Sequence, residues 1–261
     1  MSPVLQDRLQ KIMALSLSSG SHADFEKGAC VMEAAAYIAG EPWSDHPKCA
    51  CPVITSFMIA WNDGLPSDAE RDRLLKPLIE EVIDTKATLA VAKRRSYMAL
   101  DWLIRVHTPK WLDLVPALAT HAKALRDLEE IADLAGASAA GANVKAAGDA
   151  ARDAAREAAR AAAREAARDA GWDVAWAAGW DATGDAARAA AWAAAGDAAR
   201  YAARYASGDA ARDAAGAAAK AAAWAAAWDV ARAAAREFLK PTTAWLQVSA
   251  LDLVRRMIEV R

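Results

Sequence analysis

The chain has 261 residues, and its 32 Lys+Arg against 34 Asp+Glu give a formal net charge of −2 at pH 7. Hydrophobic residues make up 55% of the sequence and charged residues 25%, which excludes a disordered chain of low hydrophobicity. The near-neutral balance argues against a dedicated nucleic-acid coat protein, but not against a local basic face.

The N-terminal sequence and the cysteines indicate the compartment. The first residues, MSPVLQDRLQ, lack a basic region followed by a long apolar core, so no secretion signal is predicted. An odd number of cysteines, three, without export favours free thiols in a reducing, cytoplasmic setting. The apolar stretches fall short of the ~18 residues that a membrane span requires, and we therefore expect no membrane partner.

Residues 1–134 predict a globular domain of short helices packed at steep angles. The first helix is expected to begin at Ser2-Pro3, and the second to run from Phe25 to Ala39 and to stop at Gly40. The apolar run 53–61 fits either a buried strand or a helix by periodicity, but no partner strand lies nearby in the sequence.

Further helix signals follow in the same domain. Ser67 and Glu70 have the spacing of a capping box. A long helix is expected from Thr88 to Val106, and the prolines that come after it are expected to restart short helices.

Residues 149–240 form a tetrapeptide repeat, preceded by a predicted Gly/Ala linker over 135–148. The span of 240 − 149 + 1 = 92 residues holds 23 units of the type (Asp/Glu/Ala)-Ala-Ala-(Arg/Trp/Gly). The first position is acidic in 13 units and the fourth is Arg or Lys in 13, so the repeat is not a polycation. Alanine favours the helix, and an acid followed three residues later by Arg is a favourable surface pair. The repeat is therefore predicted to be helical.

The tryptophans of the repeat indicate how its helices pack. Each unit of four advances about 400°, so its fourth position drifts by about 40° around the helix. The fourth position changes from arginine to Trp172, Trp176 and Trp180 as it rotates to the opposite side of the helix. This change favours a helix with one solvent-exposed face and one packed face. We expect a helix from about 148 to 182, a break near Thr183-Gly184, and a homo-oligomer formed through these helices. A single rod of about 138 Å is the alternative.

The C-terminal segment, 241–261, predicts an amphipathic helix that docks on the N-terminal domain. Its predicted apolar stripe consists of Trp245, Val248, Leu251, Val254 and Ile258.

Cys30, His46, Cys49 and Cys51 have the residue types of a zinc site, but Cys-x-Cys is shorter than the usual ligand spacing. We expect the cysteines to pack in the fold, with a Cys/His metal-dependent enzyme as an alternative. No acid–base motif can be assembled from the acidic residues Glu33, Asp45, Asp63 and Asp101. No catalytic residue, metal or cofactor is predicted.

Binding residues are predicted in three places. The loop 41–51 carries Trp43, Asp45 and His46, and an indole in a loop indicates packing or contact with a partner. The basic run around Arg94 and Arg95 predicts a solvated face, with contact to a phosphate as an alternative. Guanidinium and aromatic rings could hold a nucleotide-like anion in the repeat, where the candidates are Arg200, Tyr201, Arg204 and Tyr205.

Three segments carry a resemblance: CVMEAAAYIAGEPWSDHPKC at 30–49, WNDGLP at 61–66 and ALDWLIR at 99–105. With the Trp-containing alanine repeat, they resemble a group of uncharacterised bacterial and phage proteins. The alanine-rich part alone is similar to helical immunity proteins, whose implied action is to neutralise a toxin by binding it. The resemblance implies a binder and not an enzyme.

The sequence therefore predicts an all-α, cytoplasmic, non-enzymatic protein with a helical globule, an alanine-rich helical scaffold and a docking helix. Its expected action is to bind and block another macromolecule, as an immunity-like or anti-defence protein does. Sequestration of a nucleotide-like anion is the main alternative.

Overall fold

The computed structural model describes residues 4–170 and 237–261, and all regular secondary structure within these ranges is helical. The all-α prediction is thus confirmed. The chain divides into two compact units: one comprises Met1–Trp111, Lys123–Ala142 and Ala244–Arg261, and the other Leu112–Ala122 and Asn143–Thr243. Within the described ranges, no helix combines the length and the apolarity that crossing a bilayer requires.

Nine α-helices are described, and the last of them is already helical at 237. They are α1 (Gln6–Ala14), α2 (Val31–Ile38), α3 (Pro52–Gly64), α4 (Asp68–Leu75), α5 (Leu89–Asp101), α6 (Thr108–Leu112), α7 (Ala119–Arg126), α8 (Leu134–Ala170) and α9 (237–259).

Helix α2 begins later than the sequence predicts. Residues Phe25–Lys27 form a separate 3₁₀ turn, and Gly28 then adopts a φ of +119°, which favours glycine and interrupts the helix. The predicted stop is confirmed, because Gly40 follows the end of α2 with a φ of +74°. The first helix also starts later than expected, at Gln6.

The run 53–61 lies within helix α3, which starts at Pro52 and excludes the strand alternative. In α4, the Ser67 side chain accepts from the Glu70 amide at 3.3 Å, but the Glu70 carboxylate pairs with Arg73. The expected capping box is therefore only half formed.

Helices α5 and α6 are continuous through a π-helical turn at Trp102–His107. Pro109 explains this turn, because it has no N–H and its ring would clash with the carbonyl four residues earlier in a regular helix. The Thr108 hydroxyl donates to the Leu103 carbonyl at 2.8 Å, which satisfies one of the displaced acceptors. Pro109 therefore does not restart a helix, as the sequence predicted, but widens an existing one.

Helix α8 includes the segment 135–148 that was expected to be a linker. Asp133 accepts from the Gly136 amide at 2.8 Å, which caps the helix start, and the alanines that follow favour the helix. In the first repeat units, Arg152 pairs with Asp149 and Arg156 with Asp153, which confirms the predicted acid–Arg pairing. The predicted break near Thr183-Gly184 lies outside the described residues, as do the repeat tryptophans.

The core of the first unit is formed mainly by α2, α3 and the turns after α4, and α9 completes it. Its members that are 0% exposed include Ile12, Leu17, Met32, Ile38, Ile54, Met58, Leu75, Leu78, Ile79, Leu253, Val254 and Met257.

The predicted apolar stripe of α9 is correct at Val254, which is fully buried, and at Ile258, which packs against the core, but not at Trp245 and Val248. The buried residues are Leu246, Ala250, Leu253, Val254 and Met257. Trp245 and Val248, which the sequence placed inward, are 47% and 59% exposed. Pro241 lies within this helix.

Candidate functional site

Glu33, at the start of α2, is 1% exposed and organises the loop that precedes the helix. Its Oε1 accepts from the His22 amide at 2.6 Å, and its Oε2 accepts from the Cys30 amide at 2.8 Å. His22 Nδ1 lies 2.8 Å from the same Oε2. Because this carboxylate meets N–H groups, we assign the ring proton of His22 to Nδ1, which leaves the Nε2 lone pair free to accept.

Ser18 completes a chain of three side chains. Its Oγ lies 2.9 Å from His22 Nε2, so the hydroxyl donates to the imidazole. The backbone of Ser18 is fixed on both sides: its amide donates to the Ala29 carbonyl and its carbonyl accepts from Asn62 Nδ2, both at 2.9 Å. The result is a serine, a histidine and a carboxylate in hydrogen-bonded series.

Gly28 lies directly against this chain. A Cβ at this position would lie 2.9 Å from both Ser18 Oγ and His22 Cδ2. Only glycine therefore fits here without displacing the serine or the imidazole, in addition to the positive φ that the backbone already requires.

Cys30 acts as the N-cap of α2. Its Sγ accepts from the Glu33 amide at 3.5 Å while the Glu33 side chain accepts from the Cys30 amide, which is a capping box with cysteine in place of serine. Burial raises the pKa of the Cys30 thiol to about 12, so the thiol stays protonated and is a poor nucleophile near neutral pH.

The other proposed metal ligands do not form a metal-binding group with Cys30 among the described residues. Burial, followed by a hydrogen bond to Glu41, raises the pKa of the Cys49 thiol to about 11. His46 is exposed, with Nδ1 bonded to Asp45 Oδ1 at 2.7 Å, and Cys51 is fully buried. Across 4–170 and 237–261, no group of three or more His, Cys, Asp or Glu residues is arranged to hold a metal ion.

Trp43 packs inside its own domain. Its ring lies edge-on to Phe25 and Tyr37, with centroids 6.4 and 6.0 Å away, and its Nε1 donates to the His22 carbonyl at 2.8 Å. Trp43 therefore braces the loop that carries His22, which accounts for an indole in this loop without a partner.

The basic run divides into one exposed and one buried arginine. Arg94 is exposed, whereas Arg95 is 2% exposed and donates from Nε, Nη1 and Nη2 to the carbonyls of Met257, Thr85 and Val260. Its guanidinium is engaged by backbone and holds the end of α9, so it is not available to a phosphate in this arrangement.

Helix α9 is held to the first unit by further polar contacts. Trp61 Nε1 donates to the Gln247 side chain, and Trp102 Nε1 donates to Ser249 Oγ at 2.7 Å. On the outer side, the Lys110 ammonium lies 4.9 Å from the centroid of the Trp245 ring. We refer to Trp245, Val248 and Lys110 as the Trp245 surface.

The sequence did not indicate the two arrangements that stand out in the structure. Glu33 was considered only among acidic residues without an acid–base motif, nothing paired it with His22 and Ser18, and Trp245 and Val248 were assigned to the predicted apolar stripe. One signal was present: Cys30 and Glu33 have capping-box spacing, which fixes the Glu33 carboxylate beside the preceding loop. The candidates Arg200, Tyr201, Arg204 and Tyr205 lie outside the described residues and remain predictions.

Comparison of the chain with protein-family models, with curated proteins and with solved structures gave no match.

Proposed function

We propose that this protein is a helical binding protein that blocks another protein through the Trp245 surface. The observation that carries the proposal is the 47% and 59% exposure of Trp245 and Val248 on a helix whose opposite face is buried in the core. The proposed action requires contact alone, in line with the immunity-like or anti-defence role that the resemblance implies.

The contacts that hold α9 order the Trp245 surface before a partner binds. Arg95, Trp61 and Trp102 each bond to the helix, and the Lys110 ammonium lies over the Trp245 ring. A side chain that is already ordered loses less conformational entropy when a partner covers it. Tryptophan is also enriched among the residues that dominate binding energy at protein interfaces.

The side chains of the Trp245 surface indicate what kind of partner would fit it. Trp245 and Val248 lie three positions apart on one helix and require an apolar pocket on the opposing surface. Lys110 adds a positive charge at the edge of the indole, so a carboxylate at the rim of that pocket would complement it. The partner is therefore a protein with an apolar pocket that has an acidic rim.

A cross-linking and binding experiment tests this proposal. A photoreactive amino acid at position 248 identifies the contacting protein in cells, and the purified pair is then titrated with wild-type protein and with Trp245→Ala. We expect the variant to bind roughly 30-fold more weakly, which is the loss typical of an interface hot spot. Leu89→Ala is the matched control, because Leu89 is 85% exposed on a different helix.

Two results would overturn the proposal. One is equal affinity of the identified partner for wild-type protein and Trp245→Ala. The other is a cross-link that joins only copies of this chain, because the surface would then be a self-interface.

Two other parts of the proposal rest on the sequence. The free cysteines at positions 30, 49 and 51 support a reducing compartment, which we propose is the cytoplasm. The alanine-rich repeat supports self-association, and light scattering of the purified protein tests it by giving the mass of the particle.

A further inference from the structure

We propose that Ser18, His22 and Glu33 form a nucleophilic serine centre that hydrolyses short, uncharged acyl esters. This activity goes beyond the binding function, uses none of the residues of the Trp245 surface, and can fail or succeed independently of it.

The first support is the direction of the hydrogen bonds. Glu33 receives the His22 amide, the Cys30 amide and His22 Nδ1–H, so the carboxylate acts as an acceptor throughout. These bonds place a ring proton on Nδ1, so in the neutral imidazole Nε2 is unprotonated and lies 2.9 Å from Ser18 Oγ. A serine hydroxyl that donates to such a nitrogen is positioned to lose its proton as it attacks.

The second support is the rigidity of the arrangement. The Ser18 backbone is bonded at its amide and at its carbonyl, and the His22 backbone is bonded on both sides to Glu33 and to Trp43. The nucleophile and the base are therefore held at reacting distance before any substrate binds, which lowers the entropic cost of reaction.

The third support is that a substrate can reach Ser18 and that the neighbouring Ser19 amide can stabilise an oxyanion. Ser18 is only partly buried, and the next residue, Ser19, is exposed. Within the described part of the chain, the Ser19 amide has no acceptor, so it is free to donate to a developing oxyanion, as the residue after the nucleophile does in other hydrolases.

The reaction balances with water as the only co-reactant. Ser18 Oγ bonds to the ester carbonyl carbon as its proton passes to His22 Nε2. The electron pair of the carbonyl π bond moves onto the carbonyl oxygen and gives a tetrahedral intermediate. When this carbonyl re-forms, the bond between its carbon and the ester oxygen breaks, and the departing alkoxide takes the proton from Nε2. Water then repeats these steps on the acyl-serine and releases the carboxylic acid and free Ser18.

The surrounding charges indicate the class of substrate. Asp63 Oδ1 accepts from the Gly20 amide at 2.8 Å, two residues from Ser18, and Asp24 caps the turn beside Gly28. These carboxylates repel an anionic substrate. The backbone of Gly28 against Ser18 Oγ and His22 narrows the approach, which favours short acyl groups.

Covalent labelling and ester hydrolysis test the centre in the full-length protein. A small fluorophosphonate, which a serine Oγ attacks with loss of fluoride, is expected to label one residue, mapped to Ser18 by peptide mass spectrometry. p-Nitrophenyl acetate is expected to give a burst of p-nitrophenol equal to one per chain. Ser18→Ala should abolish both signals, because it removes the nucleophile and leaves the His22–Glu33 pair intact.

Three further variants sharpen the result. Ser21→Ala, an exposed serine beside His22, is the matched control and should behave as wild type. His22→Gln should slow acylation by at least about 100-fold, the usual contribution of a general base. Glu33 is a positioning residue, so Glu33→Gln should slow fluorophosphonate labelling of Ser18 while the final labelled fraction stays at one per chain, whereas loss of the fold would lower that fraction.

The proposal is overturned if folded wild-type protein resists the fluorophosphonate or carries it on a residue other than Ser18. It is equally overturned if Ser18→Ala, with an unchanged thermal transition, hydrolyses the ester at the wild-type rate.

Discussion

Arg95 shows how one buried side chain can join segments that are far apart in the sequence. Its guanidinium donates to Thr85 before α5 and to Met257 and Val260 at the end of α9. The last carbonyls of a helix have no partner within the helix, and a positive charge is favourable there because of the helix dipole. Arginine suits this position because its planar group has several fixed donors, which a lysine lacks.

We predict that Arg95→Met destabilises the first unit by about 3 kcal/mol, because three carbonyls lose a charged donor and are left inside the protein. Arg94→Met is the matched control at an exposed neighbouring position, and it should change the free energy of unfolding by less than about 0.5 kcal/mol. Urea unfolding followed by circular dichroism measures both. Equal effects of the two substitutions would contradict the role of Arg95 in holding the end of α9.

His107 is a second residue whose environment has a measurable consequence. Desolvation by burial lowers its pKa below the ordinary value of 6.5, and its Nε2 accepts from Trp111 Nε1 at 3.2 Å. The unfolded chain therefore binds a proton at His107 at a higher pH than the folded chain does. The neutral His107 ring therefore supports the full stability of the fold above pH 6.5. This stability is lost as the pH falls through 6.5 and below it.

We predict that wild-type protein loses more stability than His107→Gln as the buffer changes from about pH 7.5 to about pH 5.5. Glutamine cannot take up the proton but can still accept from Trp111. The difference between the two urea midpoints, measured at each pH, isolates this histidine from the carboxyl groups that both proteins share. A difference that stays constant with pH would contradict the assignment.

At the scale of elements, local chemistry fixed several helix ends in advance but did not fix helix faces. Gly40 and Ser67 mark ends that depend on a single residue's backbone or side chain, and both were predictable. The 3₁₀ turn before Gly28 was not predicted, although the Asp24 side chain caps it by accepting from the Glu26 and Lys27 amides.

Helix α9 shows why the sequence alone does not decide which face of a helix is buried. Two overlapping stripes have helical spacing, and the largest side chain favoured the stripe that contains Trp245. The buried stripe contains Leu253 and Met257. Only the core partners decide between them, and those partners are distant in sequence. The Ser18, His22 and Glu33 chain was hidden for the same reason, because the loop between α1 and α2 has no regular pattern.

A matched pair of valines tests the register of α9. Val254 is 0% exposed and Val248 is 59% exposed, so the same substitution probes both faces of one helix. We predict that Val254→Ala lowers the free energy of unfolding by about 2 kcal/mol, because it removes buried methyl groups and leaves a cavity. Val248→Ala should cost less than about 0.5 kcal/mol. A larger effect at 248 than at 254 would contradict the burial of Val254 and the exposure of Val248.

At the scale of the whole molecule, the first unit is discontinuous in sequence. Residues 143–243 lie between its second and third stretches, so 243 − 143 + 1 = 101 residues separate Ala142 from Ala244. The entropic cost of closing a loop grows only with the logarithm of its length. A long repeat can therefore be inserted here at little further cost, provided that α9 returns to complete the core.

This arrangement predicts that the first unit depends on the last eighteen residues, Ala244–Arg261. Truncation after residue 243 removes Ala250, Leu253, Val254 and Met257 from the core and leaves Arg95 without two acceptors. At ~1.5–3 kcal/mol for each large apolar side chain, the loss is comparable to the whole stability of a typical domain. We expect the chain 1–243 to lack the thermal unfolding transition of this unit.

Adding the missing segment as a synthetic peptide, 244–261, should restore that transition, because the peptide supplies the same core side chains and the carbonyls that Arg95 binds. A control peptide carrying Leu253→Asp should not, since a carboxylate would then enter the core without a partner. Differential scanning calorimetry of the truncated chain with each peptide measures the recovery. An intact transition in 1–243 alone would show that α9 is an accessory element, and the Trp245 surface would lose the rigid support on which its binding role depends.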